Sequence, residues 1–260
     1  MKIIEAPSPN QNKRRYPVDM LVLHYTGMED GPSALERMRD EKAQVSAHYM
    51  VDVDGVIYQL VPEDMRAWHA GVSNWQGDGD LNSRSVGIEI VNGGHNVKLS
   101  DGSLQPYSRV QIEAVIELSR AIIERHKIPL NRVVGHSDIA PDRKDDPGEH
   151  FPWEEFAARG VGFWPERPDE GELTKLSEKD APLKLGAKGK GVTGLQEDLQ
   201  AIGYPIEVSG AFDEQTEKVV MAFQRRWNQG DVSGVVDPLT FELIRRVAAL
   251  AYPSSAGGDI

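Results

Sequence analysis

Residues 135–148, GHSDIAPDRKDDPG, place His136 ten residues ahead of Asp146, which stands directly before Pro-Gly. The stretch is neither apolar nor periodic, so it is neither a core helix nor a core strand. Two more polar side chains stand where apolar ones are expected. His24 closes the run DMLVLHYT (19–26), and Glu89 sits between Ile88 and Ile90 in SVGIEIVN. A carboxylate flanked in this way must meet water, a metal or another cation, because burying an unpaired charge is costly. Two histidines and an aspartate are a common ligand set for catalytic zinc, which keeps a fourth position for water. Such a metal lowers the pKa of bound water to ~7 and polarises a carbonyl. The base must then be a separate carboxylate, and Glu89 fits. A Pro147-Gly148 turn fixes the backbone just past the last ligand. Spacing alone is met more readily by a surface loop of solvated charges.

The surrounding pattern supplies elements to position these groups. Residues 19–26 and 84–92 read as strands, and 131–138 as a short strand running into the polar stretch. SAHYMVDVDGVIYQLVPE (46–63) reads as two strands around an Asp54-Gly55 turn. GPSALERMRD (31–40) predicts a helix with Ser33 as N-cap and Glu36 completing a capping box. Residues 108–127 predict a long amphipathic helix with Val110, Ile112, Val115, Ile116, Leu118, Ile122 and Ile123 on one stripe. WEEFAARG (153–160) predicts a last helix. The class is therefore α/β, a mixed central sheet flanked by helices, over residues 1–164. Residues 165–182 have the charged, Pro-containing composition of a linker. Residues 183–252 predict a small three-helix domain, with SGAFDEQT (209–216) echoed by SGVVDPLT (233–240). In both copies an Asp stands at a capping position. Residues 253–260 read as a frayed tail.

Composition narrows the function. The 260 residues are 39% apolar and 27% charged, with no cysteine and a net charge of −12. Disulfides, thiolate metal sites and cysteine nucleophiles are excluded. Nucleic-acid binding, which leans on Lys and Arg at phosphates, is disfavoured. No run reaches the ~18 apolar residues of a membrane helix. The first residues show no apolar signal core, which points to the cytoplasm. The alternative is a periplasmic or secreted protein exported by another route or with its leader removed.

YPVDMLVLHYT, SAHYMVDVDGVIYQLV, AWHAG, SVGIEIVN and GHSDIAPDRKDDPG follow one another in order over residues 16–160. Together they resemble the zinc-dependent N-acetylmuramoyl-L-alanine amidases of the AmpD/AmiD type, whose fold is shared with phage T7 lysozyme and the peptidoglycan-recognition proteins. The resemblance implies one Zn²⁺ per chain held by His24, His136 and Asp146, with Glu89 as the catalytic glutamate and Lys144 stabilising the oxyanion. It implies hydrolysis of the amide between the lactyl group of N-acetylmuramic acid, anhydro or not, and L-alanine, in peptidoglycan turnover or recycling. The alternative is a non-catalytic peptidoglycan-recognition protein, against which the complete set of five residues argues.

AWHAG then falls at the cleft wall, which makes His69, Trp68 and, after the Glu89 strand, Asn92 candidates for substrate contact. Asn82 and Arg84 are weaker candidates. His48, His95, His126 and His150 read as structural or solvated, and Asp138 and Asp142 as loop-shaping. The C-terminal segment, with LQ-x-x-L, G-x-F-x-x-x-T and A-x-x-FQ, resembles the three-helix peptidoglycan-binding domain. Asp213 stands where that family usually has glycine, and LQ and FQ read as packing signatures. The partner implied is peptidoglycan or a muropeptide; oligomeric state is left open.

Overall fold

The computed structural model describes residues 2–177 and 182–251. The chain opens with β1 (Ile3–Glu5), β2 (Gln11–Lys13), β3 (Met20–Tyr25) and helix α1 (Gly31–Arg39), then the hairpin β4 (Tyr49–Val51) and β5 (Ile57–Gln59). Next come β6 (Met65–Ala67), α2 (Leu81–Arg84), β7 (Ser85–Ile90), the long helix α3 (Arg109–His126), β8 (Val133–Gly135), α4 (His136–Ile139) and α5 (Trp153–Ala158). Helices α6 (Glu170–Ser177), α7 (Lys190–Ile202), α8 (Glu214–Trp227) and α9 (Pro238–Ala251) complete it. The main sheet runs β1-β5-β4-β7-β3-β8, and β2 pairs with β6 beside it. Only the β4–β5 hairpin is antiparallel within the main sheet.

Strand β3 is apolar from Met20 to Leu23 because both of its faces are covered there. Leu21 and Leu23 pack toward α3 and α5, whereas Met20 and Val22 join Val134, Ile139 and the bundle residues Leu199, Phe223 and Trp227. The C-terminal helices therefore share one apolar core with the sheet. On β7 the same alternation sends Val86, Ile88 and Ile90 toward α3. Ser85, Gly87 and Glu89 take the opposite face. In the parallel β3–β7 ladder His24 is the register partner of Glu89. Both lie near the carboxyl ends of their strands, and His136 directly follows the neighbouring β8. That edge is where parallel sheets usually hold ligands.

Three expectations are corrected. Helix α1 is capped by Asp30, whose carboxylate accepts Ser33 N–H at 2.7 Å, and not by Ser33. Asp followed by an early Pro starts the helix three residues sooner, with the cap at 30 in place of 33. His136 opens α4 and does not end a strand, because Asp138 reaches back to accept Gly135 N–H at 2.8 Å and turns the chain. The segment read as linker contains α6, started by a reciprocal capping pair: Asp169 N–H to Glu172 at 2.9 Å, and Glu172 N–H to Asp169 at 2.8 Å. Residues 178–181 of that segment and the expected tail at 253–260 lie outside the described residues.

The two similar helix starts are built alike. Asp213 accepts Thr216 N–H at 2.9 Å and Asp237 accepts Thr240 N–H at 2.7 Å. Gln196 and Gln224 then bridge each loop to its helix. Each accepts a glycine N–H at 2.8 Å, from Gly210 and Gly234, and donates to Thr216 or Thr240. The LQ and FQ glutamines are thus buried loop staples.

Candidate active site

Nδ1 of His24, Nδ1 of His136 and Oδ2 of Asp146 lie 2.9–3.1 Å from one another, and all three residues are buried. The hydrogen bonds behind the rings set which nitrogen carries the proton. Ser85 Oγ–H donates to the Leu81 carbonyl at 2.6 Å, so toward His69 Nε2, at 3.2 Å, it accepts. His69 Nδ1 is then an acceptor, and His24 Nε2–H donates to it at 3.0 Å. Burial, then the neighbouring His24 and His48, hold His69 well below the usual histidine pKa, in keeping with a neutral ring. His136 Nε2–H donates to the Ala70 carbonyl at 3.2 Å. Both histidines therefore turn a bare Nδ1 lone pair toward Asp146.

Such a trio of electron-rich atoms needs a cation between them. Burial lowers the His24 pKa to about 4, with His136 adding to the effect, so a shared proton does not serve at neutral pH. Burial pushes the Asp146 carboxyl up, but the facing His136 and His24 outweigh it and hold it below the usual carboxylate range. Tetrahedral zinc with bonds of about 2.0–2.1 Å spaces its ligand atoms by roughly 3.3 Å. The observed spacings fit that ion, and these three residues are the His/Asp/Glu group among the described residues whose donor atoms converge in this way.

A cleft of about 420 Å³ opens over the trio and is lined by Tyr25, Arg37, Trp68, His69, Glu89 and Lys144 among others. Glu89 Oε2 is buried without a hydrogen-bond partner among the described residues. Burial, then the Asp146 charge, raise its pKa well above the usual value, with Lys144 opposing. Neither the Lys144 ammonium nor the Arg37 guanidinium makes a hydrogen bond or ion pair with the described residues.

The five residues that the sequence singles out converge here. The three expected substrate contacts separate. Trp68 forms cleft wall, fixed by Nε1–H to Asn12 at 2.7 Å. His69 is largely behind the His24 ring, only 8% exposed. Asn92 is buried, with its amide spent on Gln105 O at 2.9 Å and Gly94 N–H at 2.8 Å. Asn82 accepts the N–H groups of both His69 and Ala70, at 2.9 and 2.7 Å, and so holds the AWHAG strap. Arg84 pairs with Asp19 and Asp78. His48 accepts Gly87 N–H at 2.9 Å and is structural. His95 is no solvated loop residue: it bridges Tyr25 and Glu149, both at 3.1 Å.

Gly87 was not anticipated. A Cβ there would stand 2.5 Å from the His69 ring, so only glycine lets that ring lie on the strand. A glycine interrupting a strand pattern was the available signal.

The family model for N-acetylmuramoyl-L-alanine amidase matches residues 14–149. The chain belongs to that family. A peptidoglycan binding domain model matches residues 188–244. The enzyme is 37% identical to AmiD of Escherichia coli K12 over 238 residues, 88% of this chain and 82% of that one. It is 35% identical to the 1,6-anhydro-N-acetylmuramyl-L-alanine amidase AmpD of Haemophilus influenzae, over 58% of this chain and 89% of that one. The structure of E. coli AmiD with anhydro-N-acetylmuramic acid-L-Ala-D-gamma-Glu-L-Lys superposes with a TM-score of 0.75 at 36% identity, covering 91% of each chain. AmpDh3 of Pseudomonas aeruginosa also gives 0.75, at 30% identity, covering 92% of this chain and 95% of that one. The enzyme is thus an amidase of the AmpD/AmiD type with a C-terminal peptidoglycan-binding domain. Among the described residues no helix is long and apolar enough to cross a membrane.

Proposed function

We propose that the enzyme is a zinc amidase in which His24, His136 and Asp146 hold one Zn²⁺. The observation that carries this reading is the buried trio of proton-free donor atoms at 2.9–3.1 Å. When bound, zinc supplies Lewis acidity to the scissile carbonyl and to water. Glu89, with a free carboxylate oxygen and a raised pKa, takes the proton of the attacking water and returns it to the departing L-alanine nitrogen. General acid–base help of this kind contributes roughly 10²–10⁴-fold. The unpaired Lys144 ammonium faces the charge that develops on the carbonyl oxygen. His69 orients His24 by accepting its Nε2–H, and the Ala70 carbonyl does the same for His136. Trp68 supplies an apolar wall for the sugar. Arg37 and Lys144 balance the Glu89 and Asp146 carboxylates in the cleft lining, and with zinc bound the cleft of this acidic chain would be locally cationic, suited to the carboxylates of a stem peptide.

Digestion of purified peptidoglycan, read by mass spectrometry with and without a chelator, tests this. Intact stem peptides beginning at L-alanine, lost with chelator and restored by zinc, are the expected result. Release that persists in the apo-enzyme would refute the zinc reading. Soluble anhydro-muropeptides compared in the same run identify the preferred substrate. A preference for polymer assigns the enzyme to the wall compartment, and a preference for fragments to recycling.

A further inference from the structure

The two ligands His136 and Asp146 do not stand on the sheet. They are the ends of a loop, joined to each other by Ser137 N–H to the Asp146 carbonyl at 2.9 Å. A ten-residue excursion has many conformations of similar energy, yet ligand atoms must be held within about 0.5 Å to act. Its middle is held within the catalytic domain: Asn74 N–H donates to the Ile139 carbonyl at 3.0 Å, and Arg143 donates to the carbonyls of Ala70 at 2.8 Å and Val72 at 3.2 Å. The side-chain restraints nearest the two ligands come from the C-terminal helices.

Near its start, the fully buried Asp138 accepts three bonds. Gly135 N–H gives one at 2.8 Å, Arg226 Nη1 of α8 one at 2.8 Å, and the Tyr204 hydroxyl after α7 one at 2.7 Å. Arg226 also donates to the Val133 carbonyl at 3.0 Å, with its guanidinium 4.3 Å from the ring centres of both Trp153 and Trp227. Near the loop's end, Arg225 reaches Asp145, the neighbour of the ligand Asp146, at 2.8 Å. It also lies 3.7 Å from Glu149, which holds His95 and through it the cleft residue Tyr25. Successive residues on a helix point about 100° apart, so two adjacent arginines reach both ends of the loop. A buried ion pair adds little stability over apolar residues of equal volume. What it adds is direction, and here that direction is applied two residues from one ligand and one residue from the other.

We infer that the helical domain matched as a wall-binding module is also a structural part of the metal centre, with Arg225, Arg226 and Tyr204 as positioning residues for His136 and Asp146. This rests on the zinc reading above. It gives the domain a role that needs no polymer.

The test uses the full chain and reads metal rather than turnover. Zinc affinity is measured by competition with a chromophoric chelator. Ligand geometry is read from the visible absorption of the Co²⁺-substituted protein. Tyr204→Phe and Arg225→Gln should each weaken zinc by about tenfold, as loss of outer-shell partners does, and should change the Co²⁺ bands. Arg225→Lys, which keeps the charge, should recover most of the affinity. Gln196→Ala, which loosens a loop staple inside the same domain, should lower Tm and leave both metal readouts unchanged. Affinity and spectra in Tyr204→Phe and Arg225→Gln equal to the parent's would overturn the inference. So would an equal loss in Gln196→Ala, since that would reduce the effect to general instability. Failure of the parent protein itself to bind one zinc would instead sink the zinc reading on which this rests. Arg226→Lys is the harsher variant. If it does not fold, Tyr204→Phe, which removes a single oxygen, still decides the matter.

Discussion

His24 and Glu89 stand on β3 and β7, adjacent strands locked in parallel register, whereas His136 and Asp146 are the ends of a loop. The strand-borne pair has its backbone fixed by the ladder, so only side-chain rotation remains to be set, which for His24 means the ring. One acceptor, His69, does that, resting on Gly87 and anchored through Ser85. The loop-borne pair has its backbone to fix as well. That takes Asp138 inside the loop, bonded to Tyr204 sixty-six residues further on, and two arginines of α8. The lesson is that a ligand on regular structure needs orienting, while a ligand on a loop needs restraining.

The deepest cut through this comparison is Glu89→Gln. It removes the base and leaves the trio intact, so kcat should fall by about 10²–10⁴-fold with zinc affinity unchanged. A parallel loss of zinc, measured by chelator competition, would mean that Glu89 is part of the ligand set.

Next is His69→Ala, which frees the His24 ring and should weaken zinc by about 10–100-fold. His69→Gln keeps an acceptor near the same place and should recover part of the loss. If Ala and Gln behave alike, His69 acts by packing and the proposed orientation of His24 fails.

Gly87→Ala sharpens the point from beneath. A methyl group 2.5 Å from the ring must displace His69 or bend β7, costing about 1–3 kcal/mol of stability, as overpacking does. Thermal denaturation, with zinc affinity measured beside it, checks this. An unchanged Tm and unchanged affinity would show that the strand yields freely.

The smallest effect lies on the loop side. Glu149 is drawn down to about 2: burial opposes the shift, and the hydrogen bond to His95 and the nearby Arg225 outweigh it. A depressed carboxyl contributes stability that is present above its ordinary value near 4.5 and is lost as pH falls toward about 2. Glu149→Gln should therefore flatten the fall in stability over that window and do little to its slope near neutrality. An identical acid profile in urea denaturation would remove Glu149 from the restraint.

Much of this site is legible in residue types. An apolar run ending in His24, a carboxylate between two isoleucines and a polar loop carrying His136, Lys144 and Asp146 each break the local pattern, and a break in pattern is what sequence reveals. The helix at α3, the hairpin and the three C-terminal helices follow from periodicity and capping signals. The exact start of α1 and the short α4 do not, because Asp30 against Ser33 and Asp138 against strand propensity are contests between neighbouring residues of similar strength. Helix α6 hides in linker-like composition because its start depends on reciprocal side-chain bonds.

Residue types and the order of the motifs, then, pointed to the groups that could do chemistry and to the elements that carry them. Tertiary structure alone decided that His69 stands behind the His24 ring and is not simply a cleft-wall residue, that Asn92 is spent within its own loop, and that Arg225 and Arg226 reach the loop between residues 136 and 146. The physical reason is that hydrogen-bond direction and long-range packing depend on which surfaces meet. No local pattern in the chain records that a helix near residue 225 closes over a loop near residue 140.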